Sequence, residues 1–216
     1  MRLMRNIIIG LVLVITGTAL LMFIPSPQPP ASKPWEINMM PDGNIEVLGI
    51  HLGNTRYQSA QESLGVFGKT ALFVDPDGSL SIEAFFDSIN LAGLSAKLVL
   101  NLSIPADELE QILARAKAGK LQPSGAHQHE LAEQDRQRLL KAPVIGMTYI
   151  PSVRLDADML KTRFGEPERI QQLHNSEDGT TTQHWVYPSK YLTIDLPQEQ
   201  KPLLVYRAKS EFLEQE

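Results

Sequence analysis

The chain has 216 residues, with 20 lysines and arginines against 25 aspartates and glutamates, and no cysteine. Zero cysteine excludes a disulfide scaffold, a Cys-ligated zinc or iron–sulfur centre, a thiol nucleophile and an N-terminal lipobox. At 43% apolar and 21% charged the composition is that of a globular protein with room for one or two small domains. A net charge of −5 argues against a nucleic-acid binder, which needs a basic footprint.

Residues 7–24 form an unbroken, uncharged and mostly apolar run, preceded by Arg2 and Arg5 and followed by Pro25, Pro27, Pro29 and Pro30. At about 1.5 Å per residue it spans roughly 27 Å, close to the hydrocarbon thickness of a bilayer. A secretory signal peptide has a shorter core and a small-x-small cleavage site, whereas prolines stand here where cleavage would fall. Segment 1–24 is therefore expected to be an uncleaved signal anchor, a transmembrane helix that meets the lipid bilayer through residues 7–24. Arg2 and Arg5 keep the N-terminus cytoplasmic. The bulk of the chain is then periplasmic and held at the cell inner membrane. Segment 25–34 reads as a proline-rich, extended spacer of about 3 Å per residue.

Beyond the spacer, Trp35-Glu36-Ile37 alternates and precedes the turn Pro41-Asp42-Gly43-Asn44, which suggests an edge strand. An internal repeat follows. A shift of 97 places Val47-Leu48-Gly49-Ile50 on Val144-Ile145-Gly146-Met147, Ala60 on Ala157, and Phe67-Gly68 on Phe164-Gly165. A shift of 101 then matches Asp77-Gly78 with Asp178-Gly179 and Phe86 with Tyr187. Each copy reads as a helix followed by β-type runs around an Asp-Gly turn, at 71–74 and 80–86, then at 169–173 and 180–187. Alternating third strands close the copies at 98–102 and 192–196. In the second copy the helix spans 156–163, stops at Gly165 and is blocked from continuing by Pro167.

Between the copies, 105–117 has an apolar stripe of Leu109, Ile112 and Leu113 at helical spacing and ends at Gly119. Segment 120–128 reads as a polar loop and 130–140 as a second, charged helix. The expected fold class is α+β: an N-terminal transmembrane helix, then two tandem units of a helix on a three-stranded antiparallel sheet. The units occupy 35–104 and 143–210, with a helical insertion over 105–142.

The series Gly146-Met147-Thr148, Arg163-Phe164-Gly165-Glu166-Pro167, Trp185-Val186-Tyr187-Pro188 and Leu192-Thr193-Ile194 resembles the SmpA/OmlA-like unit. A tandem of two such units resembles the β-lactamase inhibitory proteins. The match is good over roughly sixty residues of the second copy. In the first it keeps Gly49-Ile50, Phe67-Gly68 and the strand pattern, and lacks the Pro and the Trp. The resemblance implies a module that binds other proteins and catalyses nothing.

Few residues suggest chemistry. His127-Gln128-His129-Glu130 is the most metal-like cluster, since an extended backbone puts His127 and His129 on one face. A third ligand is missing, because His51, His174 and His184 lie in other segments. No G-x-S-x-G or H-E-x-x-H pattern occurs, and the carboxylate pairs fall at turns and a helix start. No cofactor is expected. Aromatic residues are the better candidates: Trp185 and Tyr187 share one strand face, Tyr191 opens the next strand, and Phe86 neighbours Phe85. If that face is open, Trp185, Tyr187, Tyr191 and Phe86 bind a partner; if it is covered, they are core. The expected function is a membrane-anchored periplasmic module that binds an envelope protein, in envelope assembly or in regulation of an exported enzyme. A metal- or small-ligand-binding sensor is the alternative, and a hydrolase is a weaker one.

Overall fold

The computed structural model describes Thr16 and residues 32–91, 93–174, 180–198 and 200–215. Apart from Thr16, the expected anchor lies outside the described residues, as do the first seven positions of the spacer. Among the described residues no helix is long and apolar enough to cross a membrane. The membrane-spanning helix and the inner-membrane placement built on it are corrected accordingly.

Strands β1 (Asn38–Met39), β2 (Ile45–Val47) and β3 (Ile50–His51) form a small antiparallel sheet. The edge strand expected at Trp35 begins three residues later. Helix α1 (Tyr57–Leu64) ends at Gly65 in the left-handed region, φ 68°. A meander follows: β4 (Lys69–Val74), β5 (Leu80–Leu91) and β6 (Leu94–Leu102). Then come α2 (Ala106–Arg115), β7 (Lys120–Leu121), β8 (His127–Glu130), α3 (Glu133–Leu139) and β9 (Val144–Pro151). Helix α4 (Ala157–Phe164) is capped by the Asp156 carboxylate, which accepts from the Met159 amide at 2.8 Å. A second meander is built from β10 (Arg169–His174), β11 (Thr181–Tyr187) and β12 (Leu192–Pro197), and β13 (Leu203–Arg207) and α5 (Lys209–Gln215) close the chain.

The two meanders do not make separate sheets. Ten strands join in one antiparallel sheet in the order β10-β11-β12-β13-β9-β6-β5-β4-β8-β7, with β13 and β9 bridging the halves. The expected tandem of helix-plus-three-strand units behind a transmembrane helix is thus corrected to a mostly-sheet fold, with five short helices among the described residues from 32 onward. The shift of 97 also equates unlike positions. Gly49 turns β2 into β3 with φ 74°, whereas Gly146 lies inside β9. Phe164 is buried in the last turn of α4, whereas Phe67 follows α1 and is 92% exposed.

The insertion differs for a physical reason. The segment expected as a polar loop forms the β7–β8 hairpin, and β8 pairs along β4 from Val74↔His127 to Ala71↔Glu130. Backbone pairing at an open sheet edge recruits a strand whatever its hydropathy. Glu130 therefore ends a strand, and the charged helix begins only at Glu133.

Because paired residues share a face, the registers define the two sides of the sheet. One row runs Phe86–Leu98–Tyr149–Leu204–Ile194–Trp185, and every member is at most 3% exposed. Ala60 and Leu64 of α1, Ile112 of α2, Leu139 of α3, and Leu160 and Phe164 of α4 belong to the same apolar cluster. The core lies between this face and those helices.

Candidate functional site

The covered face accounts for most of the aromatic candidates. Trp185 is 1% exposed, and its Nε1 donates to Gln183 Oε1 at 3.0 Å. Tyr187 is 1% exposed and donates to the Gly165 carbonyl at 3.0 Å, with its hydroxyl pushed up to about 12 by burial and by the Glu166 charge. Phe86 is 3% exposed. These three rings fill the core and offer no surface in the folded chain. Tyr191 is half-buried at φ 45° and makes a tilted ring contact with Phe212, with centroids 5.6 Å apart. The structure brings Trp185 and Tyr187 onto one strand and leaves Phe86 on β5, four strands from β12.

His127 and His129 do share a face of β8. His129 Nδ1 contacts the Lys117 carbonyl oxygen at 2.9 Å, and its ring lies against Gly119, where an added Cβ would approach Nε2 to 2.5 Å. Among the described residues no group of three His, Cys, Asp or Glu side chains is placed to hold a metal ion.

The opposite side of the large sheet is different. Its central row runs Lys69–Phe85–Val99–Thr148–Val205–Thr193–Val186–Arg169 across eight strands. Phe85, Val99, Thr148 and Val205 are only half-buried and lie outside the apolar cluster of the covered face. Phe73 and Phe85 meet at 5.6 Å between centroids. The Lys69–Asp87 ion pair at 2.8 Å flanks this apolar band on one side, and a hydrogen bond between His184 Nδ1 and Asp195 Oδ1 at 2.5 Å flanks it on the other.

One register over lies a polar row, Glu83–Asn101–Gly146–Arg207. At about 4.8 Å per strand its ends are roughly 14 Å apart. Gly146 contributes no side chain to the row, and a Cβ there would press on Asn101, with Oδ1 3.2 Å away. Above this row is a cavity of about 560 Å³ lined by Glu83, Asn101, Thr148, Val205, Arg207 and Glu211. Burial raises the Glu83 carboxyl above its ordinary range, the Asp75 charge adds to the rise, and the hydrogen bond with Asn101 opposes it. Burial lowers the Arg207 guanidinium against the pull of Asp195 and Glu211, and Arg207 donates to Thr193 Oγ1 at 3.2 Å. Glu211 is raised by burial and by Glu214. Charged groups held part-way out of water on a sheet face favour an incoming surface with groups that complete their hydrogen bonds.

Sequence reasoning missed Glu83, Asn101, Thr148 and Arg207. The signal available was the polar member of each alternating strand, but only the register shows that Glu83, Asn101 and Arg207 align in one row through Gly146, with Thr148 in the row beside it. Comparison of the chain with protein-family models, curated proteins and solved structures finds no match.

Proposed function

We propose that the chain is a protein-interaction module that takes its partner on the open face of the ten-stranded sheet. The observation that carries this reading is the pairing on that face of a half-buried apolar band, Phe85–Val99–Thr148–Val205, with the polar cavity over Gly146. An apolar centre rimmed by charges is the anatomy of a protein interface. The mechanism is surface complementarity without turnover, the class of function that the SmpA/OmlA-like resemblance also implies. Trp185, Tyr187 and Phe86 act behind the surface, by holding the strands that present it.

The test is affinity capture with the tagged full chain, comparing wild type with Val99→Glu and Thr148→Arg. Both substitutions point away from the core, so melting temperature should stay within about 2 °C of wild type. Loss of a stoichiometric partner in both variants, with retention in an exposed control such as Ser88→Glu, supports the reading. Equal capture by all four proteins, or a bait that recovers nothing, counts against it.

A further inference from the structure

The large sheet ends on one side at β7, two residues long, and on the other at β10, six residues long. The small sheet ends in β1 and β3, of two residues each. Among the described residues β10 is thus the one terminal strand longer than two residues, roughly 20 Å of strand, and the unpaired end of β5 beyond Phe85 is interrupted by the irregularity between Phe86 and Ile89. All six of its residues are exposed, Ile170 at 49% and Leu173 at 47%. Long edges are normally blunted by proline, lysine, a bulge or a covering segment. The sequence Arg169-Ile170-Gln171-Gln172-Leu173-His174 contains neither proline nor lysine, and its register with β11 is unbroken from Arg169↔Val186 to His174↔Thr181.

We infer that β10 pairs antiparallel with β10 of a second copy of this chain, about a two-fold axis perpendicular to the sheet at Gln171 or Gln172. Such an axis preserves the faces, so only residues of equal parity can oppose each other. Centred on Gln172, the pairs are Ile170 with His174, Gln171 with Leu173, and Gln172 with itself. Centred on Gln171, they are Arg169 with Leu173, Ile170 with Gln172, and Gln171 with itself. In neither register does a charge face its own copy. The central side chain is in both cases an amide, which carries donor and acceptor together and so complements itself across the axis. This chemistry selects a second copy over a strand of unrelated sequence. Outward N–H and C=O groups on alternate residues supply the ladder, and no proline interrupts it. The contact is isologous and consumes the long edge, so assembly closes at two. Both open faces then lie on the same side of a twenty-stranded sheet.

The absence of cysteine makes the test direct. Gln171→Cys and Gln172→Cys are compared with Ser88→Cys, an exposed position on β5. Paired residues on antiparallel strands have Cα atoms about 4.5–5.5 Å apart, within disulfide range. Sedimentation at a concentration on the order of 100 μM should double the 24.1 kDa mass. One of the two β10 cysteines should cross-link at least about tenfold faster than the cysteine at 88, as its effective concentration across the axis requires. Leu173→Lys should return the protein to a monomer with an unchanged melting temperature. A wild-type monomer at that concentration overturns the inference. So does a dimer in which neither β10 position cross-links faster than the control, because such a dimer is held elsewhere.

Discussion

Replacing Trp185 with alanine separates a core role from a surface role. The indole lies at the β11 end of the row Phe86–Leu98–Tyr149–Leu204–Ile194–Trp185, is 1% exposed, and gives its N–H to Gln183. Lys161 Nζ sits 6.0 Å from the ring centroid on the α4 side. Truncation to a methyl removes contacts with both sheet and helix and leaves Gln183 Oε1 without its donor. Fully buried Trp or Phe to Ala changes cost about 3–5 kcal/mol, and in a chain of this size each kcal/mol moves the melting temperature by roughly 2–4 °C. The melting temperature, followed by far-UV circular dichroism, should therefore fall by about 6–20 °C. In urea the midpoint should drop while the slope stays constant, as expected when stability alone changes. Fluorescence gives an internal check, since Trp35 and Trp185 are the two tryptophans. The variant reports Trp35 alone, whose ring carries the Arg163 guanidinium at 4.3 Å, and that signal should be native-like below the transition. A melting temperature within about 2 °C of wild type would refute the argument, because surface substitutions behave that way and core truncations do not.

Three further outcomes follow from the packing and charge described above. Glu83→Gln should raise the melting temperature at pH 7. The folded-state pKa of Glu83 lies above its ordinary 4.5, so the native state holds the proton more tightly and stability is lost as pH rises through the folded value. The gain from Gln should shrink to nothing near about pH 4, where the carboxyl is protonated in the folded state and largely so in the unfolded one; a gain independent of pH would contradict this. Gly68→Ala should destabilise by about 1–3 kcal/mol, measured by urea unfolding, because its Cβ would stand 2.7 Å from the Tyr57 hydroxyl and 2.8 Å from the Phe86 ring. Asp156→Ala should cost about 1 kcal/mol by the same measurement, through loss of the cap on the Met159 amide.

Local chemistry was the legible part of the fold. Asp156 before an apolar-periodic run and Gly165 after it mark α4 with both of its ends, because capping depends on residues a turn apart. The alternating Leu98–Leu102 segment lies in β6 and the Leu192–Ile194 segment in β12. Long-range choices were not legible. Nothing local distinguishes two three-stranded sheets from one ten-stranded sheet, since the decision rests on β9 and β13 pairing with each other as well as with β6 and β12. Pro197 and Pro202 mark a loop before β13 without saying which strand it pairs with, and β8 is too polar to read as a strand until β4 offers it an edge.

The candidate site fails to show in the sequence for a related reason. A large aromatic side chain on a strand is a partner-binding residue or a core residue according to which face it takes, and period two cannot say which face is covered. The register settles it through Ile194↔Trp185 and Leu192↔Tyr187, which place both rings under α4, while Thr193↔Val186 lies on the other side. The residues that share the half-buried stretch of that other side are the modest members of each strand, such as Val99, Asn101, Thr148 and Val205. Each is unremarked alone; in adjacent strands they make a continuous surface. Burial also varies along that side: Val186 and Thr193 are 0% and 4% exposed, whereas Phe85, Val99, Thr148 and Val205 are only half-buried. On the proposed reading, half-buried Val and Thr beside Glu83 and Glu211, whose carboxyls burial raises above their ordinary range, suit a surface that is wet when free and dry when covered.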